Sequence, residues 1–358
     1  VAYKPKTGEI SLTPAPPPPT KRTRKRKPKG LAITPKKIRP RLPVLQYSTN
    51  YVIINKPAGI STHRSKTTPP SHLVASTSLK RQLSRKVFPV HRLDHRTSGA
   101  LVFAFSGEMA GRLHAGLRRK NGVFKDESMD KDDDDDDDYD GGGNGMASKK
   151  VYIALVRGDW TEFHDDDSIT VTKPLGVDGV EKECTTIFTK LAVSSIIDID
   201  EPVDDMTPSS AKRPVTTACT LVKVSPQTGR THQIRRHAYA MGMPILGDTQ
   251  HGDTRVNRWW RENRGLNRLA LHCFELDFWM DVGGSGQEPN VEDEMVSDGD
   301  LGAMERIHVV APIPEDLRKV LTLDCLKDLW DVALTIDPRL DTAFIDDRSK
   351  TSVPATTE

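Results

Sequence analysis

The sequence predicts an α+β fold, and two observations support that prediction. Short runs of β-branched and aromatic residues, each ending in turn residues, recur through the middle of the chain, as expected of strands. A segment with helical spacing of its apolar residues follows the fourth of these runs. The strands follow one another too closely for repeated β-α-β units, so the pattern does not indicate a parallel α/β sheet.

Five segments are predicted to be strands because they are short, apolar and bounded by turn residues. These segments are YVIINKP (residues 51–57), ALVFAFS (100–106), VYIALVRG (151–158), TACTLVKVSP (217–226) and RLALHCFELDFW (268–279). The segment THQIRRHAYAMG (231–242) is predicted to be a helix instead. Its residues Ile234, Ala238 and Met241 share one face, and Gly242 follows where the helix would end.

We predict that one folded domain spans residues 47–335, between two loose ends. Residues 1–46 form a predicted disordered arm, because PAPPPP and the basic run KRTRKRKPK (residues 21–29) offer almost nothing to bury. The basic run has three interpretations that the sequence leaves open: a nuclear localisation signal, a sequence-independent contact with RNA, or a solubilising tail. Residues 336–358 are predicted to form a polar tail.

Two acidic, glycine-containing segments near residues 125–147 and 281–300 are predicted to be disordered inserts within that domain. The first contains seven consecutive aspartates, residues 132–138. A calcium-binding loop is the alternative interpretation, but the run lacks the alternating ligand spacing and the closing glutamate of an EF-hand. Solvated loops therefore explain both segments better.

Composition excludes several classes of protein. The chain has 358 residues and a formal net charge of +2, with 36% hydrophobic and 28% charged residues, as in ordinary globular proteins. Its four cysteines form no CxxC pair, which argues against a zinc ribbon or a disulfide framework and favours a reducing compartment. No apolar run approaches the roughly 20 residues that span a bilayer, so no membrane partner is predicted. We expect an intracellular protein, with nuclear, cytoplasmic and organellar locations left open.

The segment HRLDHRTSG surrounds a single carboxylate with cationic side chains. Arg92 and Arg96 lie two residues on either side of Asp94, and His91 and His95 are also close. A surface salt-bridge cluster would explain this pattern, and so would a catalytic aspartate that must stay ionised beside a polyanion. The turn residues after Asp94 lead into a predicted strand, which places the carboxylate where a cleft residue is expected.

Asp94 has no second carboxylate with comparable surroundings in the sequence. A glycosidase would normally need such a partner as its general acid, so if Asp94 acts on a sugar carbon, it does so largely alone among acids. The histidines of the chain match neither HExxH nor a Cys/His zinc spacing, so no metal is predicted. They are expected to be structural hydrogen-bonding groups or RNA contacts, namely His91, His95, His232, His237 and His251.

Five motifs occur in an order that resembles the RluA-type pseudouridine synthase family. They are NKPAG (residues 55–59), HRLD followed by TSG and a hydrophobic strand (91–106), KKVYIALVRG (149–158), TGRTHQIRRHAYAMGMPILGD (228–248) and RLALHCFELDF (268–278). Together they cover roughly residues 51–317. Several motifs in the same order are a far more specific signal than any one of them alone.

Two shorter segments resemble one branch of that family. HRS (residues 63–65) and HGDTRVNR (residues 251–258) are similar to the tRNA pseudouridine synthase C branch, which modifies a uridine in tRNA. The resemblance therefore predicts that the protein isomerises a tRNA uridine to pseudouridine. A synthase acting on ribosomal or another RNA is the alternative within the family. A catalytically silent RNA-binding protein with the same fold is the alternative outside the enzymes.

The resemblance implies roles for three residues. Asp94 matches the family's catalytic aspartate, which acts on the sugar without a cofactor, so no cofactor is expected. Tyr152 matches the tyrosine that stacks on the target base, although its place in a strand would also suit a core aromatic. Arg235 matches the arginine that pairs with the aspartate, and its planar guanidinium would hold the carboxylate ionised. A solvated helix residue is the alternative interpretation of Arg235.

Further residues of these motifs are predicted to contact RNA. Arg92 matches the family arginine that fills the space left when the target base leaves its stack. The predicted RNA-binding residues are Lys56, His91, Arg92, Arg96, Arg230, His232 and Arg236. The fold that the resemblance implies is a mixed, mostly antiparallel sheet flanked by helices, with a central active-site cleft. RNA is the expected partner, and the protein is expected to act as a monomer.

Overall fold

The computed structural model of the chain describes residues 41–64, 68–69, 72–119, 147–177, 180–195, 197–199, 215–282 and 304–341. The predicted arm up to residue 40, the aspartate run and the greater part of the second acidic insert lie outside these residues. The predictions made for those segments therefore stay predictions.

Most of the described strands form one ten-stranded sheet. In chain order its strands are β1 (Val44–Tyr47), β2 (Tyr51–Lys56), β3 (Phe88–Pro89), β4 (Ser98–Ala104), β5 (Lys149–Arg157), β6 (Ser168–Val171), β9 (Thr186–Val193), β12 (Cys219–Pro226), β13 (Leu271–Asp281) and β14 (Met304–Val310). Two smaller sheets pair β7 (Leu175–Val177) with β8 (Val180–Lys182), and β10 (Ile197–Ile199) with β11 (Val215–Thr217).

Helices pack against this sheet, and polar residues mark where several of them begin. The helices of the described residues are α1 (Ala75–Gln82), α2 (Gly107–Arg118), α3 (Trp160–Phe163), α4 (Gln233–Ala240), α5 (Thr254–Arg264), α6 (Glu315–Leu321) and α7 (Lys327–Ile336). The Ser106 hydroxyl accepts a hydrogen bond from the Met109 N–H and so caps α2, and Asp253 caps α5 in the same way. Helix α2 packs on β4 and β13, whereas α7 packs on β9 and β12.

The sheet is mixed and mostly antiparallel. The order along its main path is β1-β2-β4-β13-β5-β12-β9-β6, with β3 beside β4 and β14 beside β13. Neighbouring strands pair antiparallel except for β4 and β13, which pair in parallel. The predicted α+β class is therefore confirmed. Strands β2, β4, β5, β12 and β13 and helix α4 occupy the segments predicted for them, within three residues at each end.

Two hydrophobic cores cover the two halves of the sheet, and β13, which pairs in parallel with β4, contributes buried residues to both. That parallel contact is short, since it joins only His272 to Ser98 and Cys273 to Gly99. Gly99 has a φ of +121°, and a Cβ on it would collide with the backbone of Cys273, so glycine is required for the strands to approach. Tyr152 of β5 packs against both cores, so it lies at the junction of the two halves.

The folded domain extends slightly beyond both predicted boundaries. Strand β1 begins at Val44, inside the predicted arm of residues 1–46, and Leu42 before it is buried. At the other end Leu340 is fully buried, inside the predicted tail of residues 336–358, and Arg339 binds Asp337 at 2.8 Å. Both corrections have one cause: short apolar segments at the ends of a domain are ordered by tertiary packing, which local sequence patterns do not reveal.

Helix α2 contains a matched pair of glycines that tests how the helix packs on the sheet. A Cβ on Gly116 would collide with the carbonyl oxygen of Trp279 in β13, whereas a Cβ on Gly111 would meet nothing within 4 Å. We expect Gly116→Ala to lower the free energy of unfolding by about 1–3 kcal/mol, because the helix must move away from the sheet. Gly111→Ala, at an exposed position, should raise it by about 0.5–1 kcal/mol. Urea denaturation measures both changes, and equal effects would show that α2 does not pack in this way.

Two further observations concern the helices and the cysteines. In the described part of the chain, no helix combines the length and the apolar character needed to cross a membrane. All four cysteines are free thiols: Cys184, Cys219 and Cys273 are buried, and Cys325 is half-buried.

Candidate active site

Asp94 lies in the loop between β3 and β4, and this loop is held by the turn that follows β2. The Thr62 hydroxyl donates to the Leu93 carbonyl oxygen at 3.0 Å and accepts from the Leu93 N–H at 3.1 Å. On the other side of Asp94, the His95 carbonyl oxygen accepts a hydrogen bond from the Gly59 N–H at 2.8 Å. The NKPAG motif and the residues just after it therefore position the backbone that carries Asp94.

The carboxylate of Asp94 faces Arg235, which is carried by helix α4. Arg235 Nη1 donates to Asp94 Oδ2 at 3.0 Å, although the two residues are 141 positions apart in the sequence. The Asp94 side chain remains 29% exposed, whereas Arg235 is 6% exposed. From the residues that the structure describes, no hydrogen bond reaches Oδ1 of Asp94. One oxygen is thus held by the protein, and the other is available to a substrate.

A second carboxylate, that of Asp248, fixes Arg235 from the opposite side. Arg235 Nε and Nη2 donate to its two oxygens at 2.7 and 2.8 Å, which is a bidentate fork. The N–H groups of Gln250 and His251 also donate to Asp248 Oδ1, at 2.9 and 3.1 Å. Asp248 is 1% exposed and both its oxygens are occupied. Its geometry therefore suits a residue that positions Arg235, and not a general acid.

The charges of this cluster stabilise one another. Burial alone would lower the pKa of Arg235, but the hydrogen bonds to Asp248 and Asp94 outweigh it and leave that pKa raised. Burial alone would raise the pKa of Asp248, but the hydrogen bonds from Arg235 and from the backbone leave it lowered. The guanidinium is therefore cationic and Asp248 anionic at neutral pH, so Arg235 presents a fixed positive charge to Asp94.

One histidine lies near the same oxygen of Asp94, and a second histidine contacts the first. His232 Nε2 lies 3.8 Å from Asp94 Oδ2, and His232 Nδ1 lies 3.2 Å from His251 Nε2. Burial lowers the pKa of both imidazoles, so they are neutral at pH 7 and one donates a hydrogen bond to the other. His232 has left-handed backbone angles, with φ of +54°, which is uncommon for a residue other than glycine.

Tyr152 lies on β5 directly opposite Cys273 of β13, so their side chains are on the same face of the sheet. Burial and a hydrogen bond with the Cys273 thiol raise the pKa of Tyr152 well above its ordinary value, and the charge of Asp94 acts in the same direction. Tyr152 is consequently a protonated phenol at neutral pH. That state suits stacking on a base better than accepting a proton.

Lys56 lies beneath the site and not on its surface. Its side chain is fully buried, and Nζ donates to the carbonyl oxygens of Pro57 at 3.0 Å and Ile60 at 2.8 Å. Burial and the charge of Arg268 lower its pKa to about 7, while the charge of Asp94 opposes the shift. The predicted contact of Lys56 with RNA does not match this position, because the buried amine has no face open to a phosphate.

We expect the free energy of unfolding to depend on the protonation of Lys56 between pH 7 and about pH 9. Because its pKa of about 7 lies below the ordinary 10.5, the unfolded chain binds more protons than the folded protein in this range, and stability rises with pH. Relative to Lys56→Met, the wild-type free energy of unfolding should therefore increase by about 2 kcal/mol across the range. Denaturation at both pH values measures this difference, and parallel changes in the two proteins would contradict the lowered pKa.

Three of the predicted RNA-binding arginines lie at accessible positions around Asp94. Arg92 is exposed. Arg96 is half-buried, and its Nη1 donates to the Thr249 hydroxyl at 2.9 Å. Arg236 is half-buried too, and its Nη1 donates to the Gly176 carbonyl oxygen at 3.2 Å. These positions are compatible with phosphate contacts, which stay a prediction.

The other predicted RNA contacts are less accessible. His91 Nε2 accepts a hydrogen bond from the Val102 N–H at 3.2 Å, and burial lowers its pKa to about 3, so the ring is neutral and holds the start of the loop against β4. Arg230 is half-buried, and its Nε has no hydrogen-bond partner among the described residues. The structure thus places His91 in a supporting position, whereas Arg230 retains an unsatisfied donor near the cleft.

Sequence reasoning did not single out several residues that the structure brings to this site. Asp248 and Gln250 both bind Arg235; Asp248 is the last residue of the motif 228–248, whereas Gln250 lies two residues beyond it. Arg268 is buried below them and donates to the Ser98 hydroxyl at 2.5 Å. Its burial depends on tertiary contacts, and no local pattern could have indicated it.

One group of side chains in the described residues has ligand atoms close enough for a metal ion: Glu275, Asp277 and His308. These carboxylates already bind cationic side chains. Glu275 Oε1 lies 3.3 Å from Arg339 Nη1, and Asp277 accepts two hydrogen bonds from Arg306 at 2.7 and 2.9 Å. The group has no excess negative charge with which to attract a cation, so its geometry is explained by ion pairing.

Comparison with known proteins finds relatives in sequence and a partly similar solved structure. The family described as RNA pseudouridylate synthase matches residues 50–126. The chain is 34% identical to tRNA pseudouridine synthase C of Haemophilus ducreyi over 243 residues, 66% of this chain and 85% of that relative. It is 32% identical to tRNA pseudouridine synthase C of Vibrio parahaemolyticus over 244 residues, 66% of this chain and 84% of that relative. A solved structure, human RNA pseudouridylate synthase domain containing 1, superposes with a TM-score of 0.48 at 20% identity, covering 81% of this chain and 87% of that one.

The chain belongs to the RNA pseudouridylate synthase family, because relatives at 30% identity or more are covered over most of their length. It is a pseudouridine synthase of the RluA type, an isomerase that acts on RNA. The resemblance found in the sequence motifs is thereby confirmed. The roles of individual residues stay predictions.

Proposed function

We propose that this pseudouridine synthase converts a uridine of tRNA into pseudouridine, with Asp94 as the catalytic aspartate. The observation that carries the proposal is the 3.0 Å contact between Asp94 and Arg235, made by a guanidinium that Asp248 holds in place. The relatives named tRNA pseudouridine synthase C support tRNA as the substrate. An ordered carboxylate with one free oxygen is what attack at a sugar carbon requires.

The reaction replaces one carbon–nitrogen bond with a carbon–carbon bond and transfers one proton. The N1–C1′ bond of uridine breaks, the uracil turns, and a C5–C1′ bond forms. C5 loses a proton and N1 gains one, so the overall reaction is an isomerisation that needs no oxidant or reductant. Asp94 acts at the sugar through Oδ1, while Arg235 holds Oδ2 at 3.0 Å and fixes the orientation of the carboxylate. The neutral phenol of Tyr152 stacks on the turning base.

The target base must leave its stack to reach Asp94, and this step costs least in a single-stranded loop. Arg92 is exposed next to Asp94 in the sequence, so its guanidinium can enter the space that the base leaves. Asp94 itself sits within the cleft with 29% of its side chain exposed, so a uridine still stacked in a helix would not reach it. The enzyme is therefore expected to select uridines in loops over those in stems.

The test is to incubate the purified protein with unmodified tRNA and with ribosomal RNA fragments, and to map pseudouridine by chemical labelling. Conversion of a tRNA uridine is the expected result. Modification confined to ribosomal RNA would overturn the substrate and leave the enzyme class unchanged. Binding without conversion of either RNA would instead favour the silent RNA-binding alternative, against which the joint presence of Asp94, Tyr152 and Arg235 argues.

A further inference from the structure

Helix α4 carries a row of side chains that begins at the candidate active site. Arg235, Arg236 and Tyr239 lie on one side of the helix, since Tyr239 follows the two arginines by four and three residues, and His232 is the residue immediately before the helix. We name the three residues within the helix the α4 stripe. His232 and Arg235 approach Asp94 Oδ2 to 3.8 and 3.0 Å. Tyr239 lies one helical turn, about 6 Å, beyond Arg235, so the stripe leads outward from the catalytic carboxylate.

An exposed aromatic patch lies at the outer end of the α4 stripe. Tyr239 is 62% exposed and Phe163, at the end of α3, is 50% exposed. The two flank one turn: a Cβ on Gly242 would lie 3.5 Å from Phe163 Cε1, and the Gly242 N–H donates to the Tyr239 carbonyl oxygen at 3.1 Å. Of the large apolar side chains that are exposed in the described part of the chain, these are the two aromatic ones.

Positive charge accompanies the aromatic patch. Arg236 is half-buried in the α4 stripe, next to Tyr239 on the helix surface. Burial raises the pKa of the Cys184 thiol, and the charges of Arg230 and Arg236 both oppose that shift, so the two guanidinium groups lie near the same thiol. Arg230 Nε is buried without a hydrogen-bond partner in the described residues. A donor of this kind is costly unless a ligand satisfies it.

An arginine beside exposed aromatic side chains suits single-stranded RNA, whose phosphates bind the arginine and whose bases stack on the aromatic rings. We propose that Arg236, Tyr239 and Phe163 bind the RNA strand next to the target uridine, with a neighbouring base stacked on Tyr239. This rests on the proposed function, since the occupant is the substrate RNA. Stacked nucleotides are spaced by about 3.4 Å, so the base on Tyr239 belongs to a nucleotide one or two positions from the target.

The experiment measures RNA binding apart from catalysis. Tyr239→Ala and Tyr239→Phe are made in the Asp94→Asn protein, and the dissociation constant is measured by fluorescence anisotropy. The probe is a fluorescein-labelled RNA hairpin with a uridine-containing loop. We expect Tyr239→Ala to raise the dissociation constant about 5- to 150-fold, the range for losing one base–aromatic stack. Tyr239→Phe should bind as the parent does, because it keeps the ring.

Salt dependence separates the aromatic contact from the charged one. The effect of Tyr239→Ala should be the same at low and high salt, because stacking releases no counterions. Arg236→Gln should instead reduce the slope of log affinity against log salt by about 0.7, as expected for one phosphate contact with a single strand. Ile336→Ala is the control, because this residue is also an exposed apolar side chain, at 55%, and lies at the end of α7. It should bind the hairpin as the parent does.

The outcomes distinguish this proposal from the proposed function. If Tyr239→Ala leaves the dissociation constant unchanged, the proposed contact between the RNA and the aromatic patch is overturned. The patch would then be assigned to a protein partner. Weakened binding by Ile336→Ala as well would also overturn the proposed contact, because the effect would not be specific to the patch. If Tyr239→Ala weakens binding and Ile336→Ala does not, the proposed RNA contact is supported, even when mapping finds no pseudouridine in tRNA. In wild-type background the same variant should raise KM without changing kcat at saturating RNA, the signature of a contact made equally in ground and transition states.

Discussion

Asp94→Asn should abolish pseudouridine formation while the protein stays folded and still binds RNA. The amide is nearly isosteric with the carboxylate but cannot act as a nucleophile, so turnover should fall by roughly 1,000-fold or more. The side chain is 29% exposed and keeps an oxygen that can accept from Arg235, so the free energy of unfolding should change by less than about 1 kcal/mol. Single-turnover assays on unmodified tRNA measure the loss.

RNA affinity supplies the internal control for this variant. Replacing Asp94 removes a negative charge from a cleft that binds a polyanion, so the dissociation constant should stay the same or decrease. Asp277→Asn is a matched substitution, because Asp277 also accepts hydrogen bonds from an arginine, Arg306, but does so on β13 and β14. It should retain normal turnover. Appreciable conversion by the Asp94→Asn protein would rule out Asp94 as the nucleophile.

Local patterns predicted five strands and one helix correctly, since period and turn residues are properties of a short segment. The strands β2, β4, β5, β12 and β13 and the helix α4 all lie where they were expected. The order of the strands could not be predicted in the same way. The parallel contact between β4 and β13 joins Gly99 to Cys273, which are far apart in the chain. Such pairings depend on the whole fold and leave no periodic signal.

The residues of the site also fall into two groups, those that motifs indicated and those whose contacts depend on the whole fold. Asp94, Tyr152 and Arg235 were found through motifs, and the structure brings Asp94 and Arg235 into contact. The fork from Arg235 to Asp248, and the pair formed by His232 and His251, were not predicted. These contacts join loop residues whose closeness follows from how α4 packs beside the next turn. Lys56 shows the opposite case, because a lysine in a motif suggests a phosphate contact but is fully buried here.

Arg235→Lys should lose most activity although it preserves the positive charge. Arg235 makes four hydrogen bonds: one to Asp94, two to Asp248 and one to Gln250, all between 2.7 and 3.0 Å. An ammonium is a single point of charge and cannot reproduce the planar fork that reaches both carboxylates. If it stays with the buried Asp248, Asp94 loses its partner and its fixed orientation. A misplacement of about 1 Å costs roughly 100-fold in rate, so we expect at least that loss in kcat.

The matched control for Arg235→Lys is Arg306→Lys, because Arg306 also forms a bidentate pair, with Asp277 at 2.7 and 2.9 Å, but on the exposed side of β14. It should keep full activity, since only a surface pair is weakened. Thermal unfolding shows whether Arg235→Lys is folded, and its RNA dissociation constant should match that of the wild type, because the lost contacts orient Asp94 and do not bind phosphate. A loss of kcat with unchanged affinity is the signature of a positioning residue. Near-normal kcat in the lysine variant would instead show that positive charge alone suffices. The guanidinium of Arg235, which joins Asp94 to Asp248, would then have no special part in catalysis.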